Sequence, residues 1–458
     1  MMSPQPDQPV GFDNSSVEAL AASNGQAGDL FGHSVAISGD GDTVAVGAPA
    51  ADTFGGGVYV YTRSGSAAFA EAAFRAADTT ENDNFGWSVA LSDDGLTLAV
   101  GATGRWDGSG TDGPIHNGTV YVFTRATADA SATWAQQAEI IPDPSALPGV
   151  LDYAGTLGAS VSLSSDGNTL AAGEPGAPLL DTGSANSEWL DAGIAHVYTR
   201  SGSAWSEVGT MQPTVVVTSN DFGVSLSLSG DGTRLAIGAP GEASAATGID
   251  GDADDGTQAS AGAVYLFAPD ATGAWTQRHY IKAAQDVTTI AQFGQSVAMS
   301  RDGSTLAVGA PQEPSNAVPR AGAAYAFAIG SDGTPVQQAA LATPAELGSV
   351  ALGTSVALSA DGSTLVAGAE LTDDTGTPGV VLTASPTGVT WTTPNPLVGG
   401  PQSVAGDEFG AAVALDDDGA TLAVGAPSTS PGPDGPGAAY VYDQTTLQGS
   451  AESAQASR

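Results

Sequence analysis

The chain repeats itself seven times. The segments are FGHSVAISGDGDTVAVGAP from Phe31, FGWSVALSDDGLTLAVGAT from Phe85, LGASVSLSSDGNTLAAGEP from Leu157 and FGVSLSLSGDGTRLAIGAP from Phe222. FGQSVAMSRDGSTLAVGAP from Phe293, LGTSVALSADGSTLVAGAE from Leu352 and FGAAVALDDDGATLAVGAP from Phe409 complete the set. Successive starts lie 54, 72, 65, 71, 59 and 57 residues apart. Repeats of this period are supersecondary units that bury their apolar faces only against one another. Length alone, 458 residues, suggests two or three domains. The repeats reduce that to one.

Each unit reads as four strands. In Ser34-Val35-Ala36-Ile37 and Thr43-Val44-Ala45-Val46, β-branched residues alternate with small ones at period two. Between them stands Asp40-Gly41, a tight-turn signal because glycine takes positive φ without cost. A third strand follows at Val58-Tyr59-Val60-Tyr61, and a fourth often opens on tryptophan, as at Trp134, Trp205, Trp275 and Trp391. First strands are rich in Ser and Ala and outer strands in aromatics, as expected of blades crowded round an axis and spreading outward. The seventh unit supplies only three strands, while Ser16–Ala21 is a strand without an owner. The sequence therefore predicts an all-β, seven-bladed β-propeller of four-stranded antiparallel blades, its ring closed by an N-terminal strand completing blade seven. It divides into an N-terminal extension (1–15), one propeller (16–445) and a disordered tail (446–458).

Phe-Gly, a strand, then Gly-Ala-Pro resembles the FG-GAP repeat, which builds the seven-bladed head of integrin α-subunits and many bacterial surface proteins. The resemblance covers about residues 16 to 445. It implies a secreted or cell-surface binding or adhesion module of bacterial type. It implies corners at Phe31, Gly32, Gly47, Ala48 and Pro49 packed between blades, and a ligand face formed by the loops that follow each Gly-Ala-Pro. Many members hold calcium in a D-x-D-x-D-G hairpin between the first two strands. Here those hairpins are short, so Asp40, Asp94, Asp166, Asp231, Asp302, Asp361 and Asp418 read as turn residues, and integrin-type calcium sites are not expected.

The loops after Gly-Ala-Pro are long in blades 2, 3 and 4, at 103–118, 176–193 and 241–262. Loops of that length tend to be functional or disordered. Trp106 and Trp189 have no repeat counterpart; each is a binding anchor or a plug for its own loop. With Asp107, Asp112, His116 and Asp191 they form the candidate ligand-binding set. Asp250, Asp252, Asp254 and Asp255 are the candidate calcium ligands, because alternate carboxylates can converge on a hard cation; a solvated acidic loop is the plain alternative. No cofactor is otherwise expected. Deleting 241–262 is expected to leave the fold intact if that loop is not part of a blade.

Acidic residues number 50 against 11 basic ones, with Lys282 the only lysine, which disfavours nucleic acid and anionic membrane as partners. Cysteine is absent and no apolar run reaches about 18 residues, so neither disulfides nor a membrane span are expected. The start, MMSPQPDQPV, carries no legible signal peptide, and export is an expectation of the resemblance. No G-x-S-x-G, H-E-x-x-H or other catalytic constellation is present. The favoured reading is a monomeric, non-enzymatic module that binds a protein or glycan through the loops of blades 2–4. The alternatives are a carbohydrate-active enzyme using loop carboxylates, whose pairing is spatial, and a passive structural scaffold.

Overall fold

A computed structural model describes residues 12–444, apart from 66, 106–117, 142–154, 181–188, 214, 216–218, 255, 285–289, 315–317, 345–346, 371–378, 388–389, 393–395, 401–402, 405 and 429–434. Seven antiparallel sheets form a ring. Blade 1 runs outward from the axis as Ser34–Ile37, Thr43–Ala48, Gly57–Thr62 and Ala70–Phe74. Blades 2 to 5 repeat this order. In blade 6 the outer strand is split: Thr390–Thr392 and Leu397–Val398 pair with opposite ends of Val380–Thr387. No helix among the described residues is long and apolar enough to cross a membrane.

The second strands explain the architecture. In Thr43–Ala48 every residue is buried, because both faces of the strand are covered by neighbouring blades. The main apolar clusters correspondingly lie between blades. That between blades 7 and 1, for example, joins Phe31, Val44, Val46, Tyr59 and Tyr61 to Ala423 and Val441. The phenylalanine of each Phe-Gly packs edge-on against the aromatic pair of its own third strand. Phe31 lies 5.3 Å from Tyr59 and 6.1 Å from Tyr61, and Phe85, Phe222, Phe293 and Phe409 repeat the arrangement. Full burial of such a ring stabilises by about 1.5–3 kcal/mol.

The Gly-Ala-Pro glycine is fixed by a neighbour's backbone. A Cβ on Gly47 would stand 2.0 Å from the Gly86 carbonyl oxygen of blade 2. That carbonyl also accepts a hydrogen bond from Ser34 Oγ at 3.0 Å. The same serine-to-glycine bond links each of the first six blades to the next. Blade 7 has Ala412 at that position, so the seam with blade 1 lacks it.

That seam is closed by other means. Val17–Leu20 pairs antiparallel with Ala438–Asp443 and so completes blade 7. Arg63 of blade 1 reaches Asp443 with bonds of 2.8 and 2.9 Å.

The end of the ring bearing the Ser-x-Asp-Gly hairpins is also closed, at the axis. Gly39 N–H donates to the Asp93 carbonyl, Asp93 to Ser165, Ser165 to Gly230, Gly230 to Arg301, Arg301 to Ala360, Ala360 to Asp417, and Asp417 back to Gly39. These seven backbone bonds of 2.8–3.2 Å form an unbroken circle, one residue from each blade. The Arg301 side chain crosses it and pairs with both Asp93 and Asp417. At the circle lies a cavity of about 120 Å3 lined by Leu91, Leu163, Leu228 and Leu415 together with Arg301 and Asp416, among others.

Candidate binding face at the open end of the channel

The opposite end of the ring carries the Phe-Gly corners and the loops between second and third strands. A four-residue turn precedes each first strand there. In blade 1 the His33 N–H donates to the Leu30 carbonyl, and the same bond recurs in all seven blades. The residue ending each turn begins a strand lining the axis, so His33, Trp87, Ala159, Val224, Gln295, Thr354 and Ala411 surround the channel mouth.

Two of these seven are aromatic. Trp87 packs on His33 with ring centroids 4.7 Å apart, yet remains 38% exposed. Burial lowers the His33 pKa, which favours a neutral imidazole against the indole. Of the large apolar side chains exposed among the described residues, Phe54, Trp87, Ile141, Ile290 and Val398 stand at this end of the blades. Phe54 ends a run of three residues, Asp52 to Phe54, with φ of 49°, 60° and 65°. Consecutive left-handed residues without glycine are costly, and such strain collects at functional sites.

The sequence analysis singled out other residues. Trp106, Asp107, Asp112, His116 and Asp255 lie outside the described residues. Trp189 and Asp191 fall in the strand Trp189–Asp191, which pairs with Pro178–Leu180 as a small hairpin within the blade 3 loop. The Asp191 carbonyl accepts the Ser219 amide, tying this hairpin to the connection that enters blade 4. Asp250 is already engaged: its carboxylate accepts the Tyr280 amide at 2.9 Å and contacts His279 Nδ1 at 2.8 Å. Asp252 accepts the Asp254 amide and so caps its own turn. No group of three or more potential metal ligands occurs among the described residues. The hairpin carboxylates also serve their turns, as where Asp40 accepts Ser38 Oγ at 2.6 Å and the Asp42 amide at 3.1 Å.

The blade 4 loop is more than an appendage. Ile249 forms a bridge with Ile281, so the loop lies along the outer edge of the blade. Beneath it Lys282, fully buried, donates to Glu242 at 2.6 Å and to the Ser244 carbonyl at 2.6 Å. The loop is thus paired with the blade, so the condition under which 241–262 is expected to be dispensable is not met: removing it would take away the Glu242 and Ser244 partners of the Lys282 ammonium. In blade 3, Glu174 replaces the alanine of Gly-Ala-Pro and pairs with His196, which also contacts Glu207. Burial pulls the His196 pKa down, but the bonds to Glu174 and Glu207 outweigh it and hold it at about 9.

Sequence reading missed Trp87 and His33 because both sit inside the repeat, at a position that varies from copy to copy. The available signal was that variation itself: an aromatic where the other copies have Ala, Val, Gln or Thr.

The FG-GAP repeat family model matches residues 15–61, 69–123, 275–327 and 401–442. No curated protein sequence matches the chain. Among solved structures it is similar to a chain in the crystal structure of mitotic checkpoint complex. The TM-score is 0.55 and the identity 14%, over 97% of this chain and 100% of the other. At that identity the likeness concerns the fold alone.

Proposed function

From the premise that this chain is a seven-bladed β-propeller carrying FG-GAP repeats, we propose that it is an extracellular binding module that grips a protein ligand at the open mouth of its channel. Such repeats suit protein binding. The observation that carries the reading is Trp87, more than a third exposed and packed on His33 at the rim of the axis. An indole held by a neighbour yet open to solvent is a preorganised anchor, and tryptophan is the residue most often found as a binding hot spot. The loops of blades 2, 3 and 4 spring from the same end, so Trp106, Asp107, Asp112, His116, Trp189 and Asp191 would flank the ligand. The opposite end, closed by the backbone circle and Arg301, offers no comparable entry.

The test is a panel of purified proteins and glycans probed with wild type and Trp87→Ala. Loss of a protein hit by more than about tenfold, with unchanged melting, supports the reading. Hits indifferent to Trp87→Ala and to shortening of the blade 2 and 3 loops refute it.

A second reading, glycoside hydrolysis, rests on Glu370, which burial and then Glu408 push up to about 7. A carboxyl that keeps its proton near neutrality suits a general acid. Nitrophenyl glycosides hydrolysed by wild type and not by Glu370→Gln would favour it; no turnover by either removes it.

A further inference from the structure

Three of the seven repeats, those of blades 2, 3 and 4, set a basic side chain in one equivalent place, and blade 1 has a cavity there. The place lies beneath the corner after Gly-Ala-Pro, beside the third-strand residue at Tyr59, Tyr121, His196 or Tyr265. In blade 2 it holds the Arg105 guanidinium, which pairs with Asp78 at 2.6 Å, Asp83 at 3.4 Å and Glu139 at 3.6 Å. In blade 3 it holds His196 between Glu174 and Glu207. In blade 4 it holds the Lys282 ammonium against Glu242.

In blade 1 the residue aligned with Arg105 is Ala51, and the one aligned with Lys282 is Arg75. Arg75 does not fill the place. Its guanidinium pairs with Asp52 at 2.9 Å where both side chains are at least half exposed. What remains is a cavity of about 180 Å3 lined by Asn24, Asp29, Ala51, Asp52 and Tyr59, among others, with Arg75 at its edge.

The carboxylate of that cavity lacks the partners of its counterpart. Asp83 accepts the Thr80 amide at 2.6 Å, the Thr80 hydroxyl at 3.0 Å and Arg105. Asp29, only 7% exposed, keeps the equivalent amide bond from Gln26 at 2.7 Å. No hydroxyl or guanidinium joins it among the described residues. Burial holds the Asp29 carboxyl above the usual range against the opposing Gln26 amide, and Asp52 adds to the rise.

We propose that the blade 1 cavity is a docking pocket for an alkyl guanidinium or ammonium group, supplied by an arginine or lysine side chain of a basic partner protein. The side chain would enter beside Tyr59, set its charge against Asp29, and complete in blade 1 the contact that Arg105 makes with Asp83 within blade 2. Net charge favours such a partner: 50 acidic residues face 11 basic ones. The proposal stands apart from the channel-mouth reading, since its test contains no channel-mouth ligand.

The test titrates wild type with acetyl-arginine methylamide and, as the neutral isostere, acetyl-citrulline methylamide, followed by NMR. Saturable binding of the arginine compound and none of the citrulline compound is expected. Asp29→Asn should weaken the arginine compound by more than tenfold. Ala51→Arg, which gives blade 1 the arginine of blade 2, should raise the melting temperature and abolish binding; it carries the test if Asp29→Asn fails to fold. Equal binding of the two compounds, or arginine binding that survives Ala51→Arg, overturns the pocket. Spermidine binding more tightly than an arginine-containing peptide overturns the protein partner, because the source would then be a free polyamine.

Discussion

At the scale of single residues, what the repeat conserves is what the backbone demands. Gly47 is glycine because the next blade's carbonyl occupies the place of its side chain. Ser34 and its equivalents are serine because their hydroxyl donates to that carbonyl. Both were legible as repeated letters, although their partners, one blade away, were not. The exception is informative. Ala412 leaves the closing seam as the one inter-blade contact without the hydroxyl, so Ala412→Ser should add a bond to the Gly32 carbonyl. A gain of about 0.5–1.5 kcal/mol in denaturant unfolding is expected. His196 gives a pH dependence. Its folded pKa of about 9 lies above the ordinary 6.5, so the stability its charge contributes is complete below 6.5 and is lost as pH rises through 9. Glu370 and Asp416, raised to about 7 and about 6, act with the same sign at lower pH: each keeps a proton in the native state that it releases as pH rises. Melting temperature should therefore fall between pH 6.5 and 9, and Glu207→Gln should move that fall to lower pH.

At the scale of elements, strands and hairpins were readable from period-two alternation and Asp-Gly turns, and the unowned strand near residue 17 pairs where the count required it. The loops were not readable, because their partners come from elsewhere in the chain. Nothing local in Gly241–Gly262 says that Glu242 will meet Lys282 forty residues on, or that Ile249 will lie against Ile281. Replacing 241–262 by a short turn should consequently lower stability by about 3–5 kcal/mol, since a buried charge loses its partner. Adding Lys282→Met to the same deletion should recover much of that loss, and the paired melting curves check it. The same contacts bear on calcium. Asp250 is held by His279 and the Tyr280 amide, and Asp252 by its own turn, so a metal would have to displace existing bonds. Millimolar calcium added after EDTA should leave the melting temperature unchanged; a saturable rise that Asp252→Ala removes would show a site.

At the scale of the whole molecule, four of the arginines work as rivets between blades. Arg63 joins blade 1 to Asp443 of blade 7, Arg125 joins blade 2 to Thr43 and Thr62 of blade 1, and Arg200 joins blade 3 to Thr97 of blade 2. Each also lies over an aromatic ring, Phe69, Trp134 or Trp205. Arg301 is the extreme case, since it spans the axis and ties blade 5 to blades 2 and 7 at once. Asp93 and Asp417 face a shared, partly desolvated centre, and burial, opposed by Arg301, raises both pKa values. Remove the guanidinium and two carboxylates confront each other where water screens them poorly. Arg301→Leu should thus cost about 2 kcal/mol near pH 8, the scale of a charged hydrogen bond left unmade. The sign of its pH dependence distinguishes this account from lost packing. The variant's carboxyls, without their cation, should take up protons at higher pH than in wild type, relieving the repulsion as the medium is acidified. The gap in melting temperature between variant and wild type should therefore narrow from pH 8 to pH 5. A gap constant across that range would mean that Arg301 holds the axis by its bulk alone.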